Sequence, residues 1–536
     1  MKAGDVSDPL MHHSDPGVLW TTVNAAEARP GVSTPLSQSF WGNAAELAAR
    51  QAFCDMGVIP RSMVRVGTAS ENISAVFFGR CAANVDTLRG IADRTPGMSG
   101  DGLERQFLGA AREGIPVVRA RGRVPIVAIK APVVLARSAR MMLRMETEYD
   151  RWWRTRTQHP AATAGALNEA MRRFEIAMWI QLRVTYLAQG MFDNLSQLAA
   201  AAGVPGLERR LVSGYGTVLE NRIVDDMYAV SRGDTTIATF QDRWGFHGPR
   251  EGELMSRSWR ESSAALERSI AGYRERPDTD PAAESRSRAR DRQAAERELL
   301  GTLSPLRRAG ARLLLNAVRS YVPLREVGKS MYVQSIDAGR AAARALGSHW
   351  HASGFLDDPE DVFFLTIPEL GRGPDTSARE IVAVRRTRHL QYAQLDLPRT
   401  WTGMPEPIRL DGPARRGVTR IEGIAVSRSG VVEGVARVIL DPETADAIEP
   451  GEILVCDTTD PSWVSLFVSA AALVIDIGGP LSHGAIVARE LGIPAVVNTG
   501  DGSRVIATGD LLRVDGDTGV VDIIGPVHTP QHEEAP

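Results

Sequence analysis

The chain has 536 residues, too many for one ordinary hydrophobic core, so roughly two to four domains are expected. With 43% hydrophobic and 24% charged residues it has the make-up of a globular protein, and a formal net charge of -3 gives no global pull toward nucleic acid or lipid headgroups. Cys54, Cys81 and Cys456 are widely spaced and form no CxxC pair, which indicates neither a disulfide framework nor a zinc site, and no bound metal is expected.

No charged start followed by an apolar block marks a leader, and the most apolar run, Val464 to Ile475, is too short to span a bilayer; a cytoplasmic location is expected. Only Lys2, Lys130 and Lys329 among the 62 basic residues are lysines. Arginine suits planar, bidentate contacts to phosphate, although genome composition gives the same bias.

Residues 1–17 lack periodicity and read as a flexible lead with two incidental histidines, His12 and His13. From 18 to 370 a mainly helical domain is expected, with a small β portion near 60–80 from the runs Met63 to Val66 and Ile73 to Phe78. A helical pattern covers Phe40 to Phe53, and the chain from Ala131 to Leu356 is predominantly helical. Leu167, Met171, Phe174, Met178 and Leu182 place one apolar stripe on a helix, as a packing face does.

Two places break the helical text. Trp244-Gly245-Phe246-His247-Gly248-Pro249-Arg250-Glu251-Gly252-Glu253-Leu254 mixes glycines, a histidine, an arginine and two acids, which is poor helix material. His247 has a reference pKa suited to a general base and Arg250 the geometry to hold phosphate oxygens; the stretch also reads as a polar turn whose side chains satisfy one another. In Leu324-Arg325-Glu326-Val327-Gly328-Lys329 the arginine and lysine stand four apart and share a helix face, for an anion or simply for solvent. Between these, Arg274 to Glu298 reads as an exposed loop leading into a solvated helix.

Proline, glycine and arginine dominate parts of 371–417, which is expected to be a linker; about twenty extended residues reach roughly 70 Å. Residues 418–526 alternate β-like runs, turns and short helical segments over a length that suits one domain. Within it the apolar run Ala472 to Ile477 stops at Gly478-Gly479, and a helical pattern starts with Ser482 as its cap and His483 as its first residue. Free backbone N–H groups at such a start favour an anion and disfavour a second positive charge on the imidazole, which fits a neutral, nucleophilic histidine able to carry a phosphoryl group. Residues 527–536 read as a disordered tail.

The stretch Gly478-Gly479-Pro480-Leu481-Ser482-His483-Gly484-Ala485-Ile486, continued by Ala488-Arg489-Glu490-Leu491-Gly492-Ile493-Pro494-Ala495, resembles the phosphohistidine loop of the phosphoenolpyruvate-utilising enzymes. Pro480 and Leu481 stand where a basic residue and a threonine are common there, which is similar to the rifampicin phosphotransferase and phenylphosphate synthase side of the family. Further stretches carry the same resemblance: Asn24 to Glu27 followed by Pro30-Gly31 and Thr34-Pro35-Leu36, the His247 to Leu254 element, the Arg325 to Lys329 helix and Asp361-Val362-Phe363-Phe364-Leu365.

The resemblance implies a multidomain α and α/β fold, a mostly helical N-terminal and central region followed by a swivelling β/β/α phosphohistidine domain. It implies that His483 is the nucleophile, with Ser482 and Gly484 at the phosphate, and that His247, Arg250, Glu251, Glu253, Arg325 and Lys329 attend the acceptor. ATP and Mg2+ are expected to act through a separate ATP-grasp protein, since no ATP-grasp module is read in this chain, and no cofactor is expected to be held tightly by the chain itself. The acceptor is expected to be an alcohol or phenol, and the ATP β-phosphate the donor. A phosphocarrier acting on a partner protein, and a ligand-binding protein with a vestigial carrier domain, are the alternative readings.

Overall fold

The computed structural model describes residues 6–23, 25–95, 98–108, 110–117, 123–204, 207–211, 219–275, 281–410, 418–427, 430–440, 448–459, 463–479 and 482–526. The chain divides into two compact units. The first comprises residues 1–223, 238–261 and 285–411, and the second 224–237, 262–284 and 412–536.

The first unit is mainly helical. Its frame is α1 (Pro35–Asp55), α2 (Val124–Gln158), α3 (Ala164–Ala201) and α4 (Leu324–Ala352). Thr34 caps α1 by accepting from the Ser37 backbone N–H and is followed by proline at the first helical position, and Thr163 caps α3 through Ala166. The stripe on α3 packs as its spacing indicates: Phe174 meets Phe40 at 5.2 Å, Trp41 at 4.7 Å and Tyr332 at 6.1 Å between ring centroids.

Four short strands close one end in the order β2-β3-β1-β4, where β1 is Leu19–Thr21, β2 Ser74–Phe77, β3 Arg80–Asn84 and β4 Thr400–Thr402. Trp20 pairs with Trp401 across β1 and β4, and Trp20, Phe77 and Trp401 are buried together beneath the sheet.

Several expectations for this unit need correction. Residues 6–17 are no loose lead: Val6 and Leu10 are buried, His12 donates its backbone N–H to Val76 at 2.8 Å, and Tyr392 donates its hydroxyl to Asp8 at 2.6 Å. Apolar residues at 6 and 10 supply the anchor, and two isolated apolar residues make no periodic run in the sequence.

The run Met63 to Val66 is not a strand. A short 3-10 turn, Arg61–Met63, follows Pro60, and Arg50 holds the Met63 carbonyl at 3.0 Å, diverting it from any ladder. The segment 371–417, expected as a linker, contains a helix at Ala378–Ala393 and β4; buried Val382 and an Arg385 to Glu369 ion pair at 2.7 Å fasten that helix to the unit. Residues 411–417 and the tail 527–536 lie outside the described residues. The charged helix Pro281–Thr302 is solvated on one side only, because Ala295 and Leu299 are fully buried against Leu195, Leu211 and Leu315.

The second unit is built on an eight-stranded sheet in the order β5-β12-β11-β7-β8-β9-β10-β6. In chain order these strands are β5 (Arg420–Glu422), β6 (Ile424–Ala425), β7 (Val431–Val438), β8 (Ile453–Cys456), β9 (Ala472–Ile475), β10 (Ala495–Val497), β11 (Asp510–Asp515) and β12 (Val520–Pro526). Strands β7 to β10 are mutually parallel and fully buried at β8, β9 and β10, which is why their sequences read as continuous apolar runs. The crossovers carry α5 (Val464–Ser469) and α6 (His483–Leu491). The unit also takes in residues from the middle of the chain, since helix Ala264–Glu275 lies against α5 with Leu266, Ile270 and Tyr273 buried. The boundary expected at 418 did not foresee this, because a stripe's partner is not encoded in its spacing.

Candidate functional site

In the second unit the parallel strands β8 and β9 end side by side, and each is followed by a polar loop. After β9, Ser482 caps α6 by accepting from the Ala485 backbone N–H at 3.2 Å. The Ser482 hydroxyl stands 2.9 Å from where a side-chain carbon on Gly478 would lie, so that glycine makes room for the cap. His483 is the first residue of the helix proper, as its sequence indicates. A side-chain carbon on Gly484 would meet Ile475 Cδ1 at 2.6 Å and Thr459 Oγ1 at 2.8 Å. The loop after β8 therefore presses a threonine hydroxyl onto the first turn of α6. Neither Thr458 Oγ1 nor Thr459 Oγ1 has a hydrogen-bond partner among the described residues, although both residues are buried. Pro480 and Leu481, the two departures in the loop's wording, lie outside those residues.

Behind the loop, Asp476 braces the sheet edge. It accepts from Thr499 Oγ1 at 2.7 Å, from the Ser503 backbone N–H at 2.9 Å and from the Ser503 hydroxyl. Burial pushes its carboxyl above the ordinary range, and the hydrogen bonds from Ser503 and Thr499 offset only part of that.

In the first unit the segment from Trp244 to Leu254 is a loop, as its composition indicates. Arg260 and Trp259 donate backbone N–H groups to Gly245 and His247 at 2.9 and 2.7 Å, closing it at its base. The fully buried Arg340 of α4 donates to the Glu251 carbonyl at 2.8 Å and to the Glu253 carbonyl at 3.0 Å. Asp337, also fully buried, accepts from Trp153 Nε1 at 2.8 Å and Arg260 Nε at 3.0 Å.

Inside this frame His247 Nδ1 contacts Glu251 Oε1, and Lys329 Nζ stands 3.6 Å from Glu251 Oε2. A histidine that donates Nδ1–H to a carboxylate keeps Nε2 free to take a proton. Among the described residues Nε2 has no partner, and Phe246 and Trp259 close it off with ring centroids 4.3 and 5.8 Å away. Arg250, at a positive φ of 50°, lays its guanidinium over Gly31.

The expected residues thus divide. His247, Glu251 and Lys329 form one chain of contacts. Arg325, one turn before Lys329, is half-buried; its side chain makes no hydrogen bond or ion pair among the described residues, and its Nε is shut from solvent. Glu253 faces elsewhere: its carboxylate accepts from Thr34 N at 3.1 Å, Thr34 Oγ1 at 2.7 Å, Ser37 Oγ at 2.6 Å and Met255 N at 3.0 Å, locking the loop to the start of α1. Sequence reasoning missed Thr458, Thr459, Asp476, Asp337 and Arg340, since no local spacing marks them.

Among the described residues no three or more His, Cys, Asp or Glu are grouped to hold a metal ion, and no helix is long and apolar enough to cross a membrane. A cavity of about 30 Å³ lies elsewhere in the unit, lined by Phe53, Met56, Ile91, Val127 and Tyr186 among others.

Residues 448–519, which carry β8 to β11 and the capped histidine helix, match the model of the mobile domain of PEP-utilising enzymes. More narrowly, the chain resembles the rifampicin phosphotransferases: residues 190–326 match the rifampicin phosphotransferase fourth domain. A rifampicin phosphotransferase of Streptomyces sp is 38% identical over 241 residues, covering 43% of this chain and 27% of that protein. The Bacillus subtilis (strain 168) rifampicin phosphotransferase is 35% identical over 238 residues, covering 42% and 27%. An uncharacterised protein of Mycobacterium tuberculosis is 37% identical over 201 residues, covering 37% and 23%. The chain spans about a quarter of the length of these relatives.

Proposed function

We propose that the chain is a phosphotransferase component that carries a phosphoryl group on His483 and delivers it to a hydroxyl of a small molecule, an alcohol or phenol. The observation that carries this reading is the placement of His483 at the start of a capped helix whose first turn is met by Thr459 Oγ1, a hydroxyl with no hydrogen-bond partner among the described residues. That hydroxyl and the backbone N–H groups at the start of the helix suit a phosphoryl group, and the positive end of the helix dipole disfavours a second positive charge there.

In the first step a His483 ring nitrogen forms a bond to phosphorus as the bond from that phosphorus to a bridging oxygen of ATP breaks, and the rest of the nucleotide leaves on that oxygen. An ATP-grasp protein with Mg2+ supplies that donor. In the second step the acceptor oxygen bonds to phosphorus while the phosphorus–nitrogen bond breaks, and the acceptor proton passes to His247 Nε2. Glu251 holds the His247 ring and steadies the cation that forms. Arg325 and Lys329 balance phosphate charge, Arg325, whose side chain has no partner among the described residues, being the one best suited to it. The loop opens around the acceptor to expose Nε2.

Rifampicin, the molecule named for the relatives, and phenol are the first acceptors to try. Loaded protein that phosphorylates either one, with Arg325→Gln and His247→Gln slowing transfer but not loading, supports the proposal. Loss of label only when another protein is added would overturn it.

A further inference from the structure

The amino-terminal half of α2 carries two apolar stripes. One faces inward, through the buried Val127, Leu135, Met142 and Tyr149. The other lies on the opposite side of the helix: Ile126, Ile129, Val133, Ala136, Arg140 and Leu143 follow one another at alternating spacings of three and four. It is open to solvent, with Ile129 73%, Leu143 58%, Val133 46% and Ile126 42% exposed. Among the described residues, six of the sixteen exposed large hydrophobics fall between Ile115 and Leu143, a concentration that a scattered surface does not give.

The charge pattern has the same period. Lys130, Arg137 and Arg144 stand seven apart along one flank of this stripe, and residues 115–144 contain no Asp or Glu. All three are exposed, and neither they nor Arg140 make a side-chain hydrogen bond or ion pair among the described residues. The rest of α2 behaves otherwise: Glu148 pairs with Arg173 at 3.1 Å, Asp150 with Arg154 at 2.9 Å, and Arg156 with Glu169 at 3.0 Å. Arg151, exposed and seven residues beyond Arg144, is the exception and is likewise without a side-chain hydrogen bond or ion pair among the described residues, so what marks the uncovered half is the absence of acids before Glu146.

We infer that residues 126–144 of α2 form a docking seam for a helix of a partner protein, one with a heptad-spaced apolar stripe flanked by Glu or Asp. A narrow stripe of alternating three and four spacing fits a facing helix, and flanking charges at heptad intervals select the partner's sign. A second copy of this chain would set basic flank against basic flank. A lipid surface would take Arg140 into the middle of the apolar stripe, where a facing helix offers it an acid instead.

The test uses the full chain and a fluorescein-labelled designed peptide of about three heptads, leucine at its core positions and glutamate on its flanks, with a lysine-flanked version as control. Fluorescence anisotropy is expected to show binding of the acidic peptide that weakens with salt, and at least about tenfold weaker binding of the basic one. Ile129→Asn should reduce affinity about tenfold, and the triple change Lys130→Glu, Arg137→Glu, Arg144→Glu should invert the peptide preference with unchanged thermal unfolding. Equal binding of the two peptides, or binding of neither, would overturn the inference. So would co-sedimentation with phosphatidylserine vesicles that survives an excess of acidic peptide, or self-association that Ile129→Asn abolishes.

Discussion

Glu253→Gln separates a structural acid from a substrate-binding one. The Glu253 carboxylate is buried and receives four donors from Thr34, Ser37 and Met255. An amide of the same shape has one oxygen, so Thr34 N–H, the donor to Oε2, would face an NH2 group. A buried donor left unpaired costs about 1–3 kcal/mol, and the remaining bonds fall from charge-assisted to neutral strength. Smaller desolvation of the neutral side chain offsets part of this, leaving a net loss of about 3 kcal/mol. Nine of the ten tryptophans lie in the first unit, with only Trp463 in the second, so tryptophan fluorescence in urea reports the affected unit. At a slope of about 3 kcal/mol per molar the midpoint should fall by roughly 1 M. A fall under about 0.3 M would refute the reasoning, as would loss of acceptor turnover at unchanged stability.

Gly484→Ala forces a methyl group between Ile475 Cδ1 and Thr459 Oγ1; a loss of about 1–3 kcal/mol in the second unit and slower loading of His483 are expected from denaturation and a phosphorylation time course. Wild-type loading and stability would show that the two loops do not meet as described. Because burial raises the folded-state pKa of Asp476, its contribution is fully present below the unfolded carboxylate value and is lost as pH rises through the raised folded value. Asp476→Asn should therefore flatten the stability profile of the second unit just above the ordinary carboxylate range, measured as melting temperature from about pH 4 to 7; an unchanged slope would count against it. Filling the cavity beside Ile91 by Ala92→Val should add up to about 0.7 kcal/mol, taking about 24 cal/mol per Å³ over its 30 Å³, and a destabilised variant would show that the site is closed.

What the sequence made readable was local. The end of an apolar run, a glycine pair, a serine cap and a 3.6-residue pattern led to α6 starting at His483, because each signal acts within a few residues of the chain. The loop around His247 was readable for the same reason, since glycine and proline disfavour helix wherever they sit. Side chains that act across the fold were not readable. Thr459 reaches Gly484 only because β8 and β9 run parallel and end together, and Glu253 reaches Thr34 across 219 residues of sequence. Residues 6–17 looked free because the sheet they lie on is assembled from strands near 20, 80 and 400, a pairing that no local period records.

The central claim is that His483 carries the phosphoryl group. The most direct measurement incubates the chain with ATP, magnesium and an ATP-grasp protein, then maps acid-labile phosphate by mass spectrometry. Label on His483, absent from His483→Ala and retained by His247→Gln, is the predicted result. No label on the wild-type chain, or equal label on His483→Ala, would contradict it.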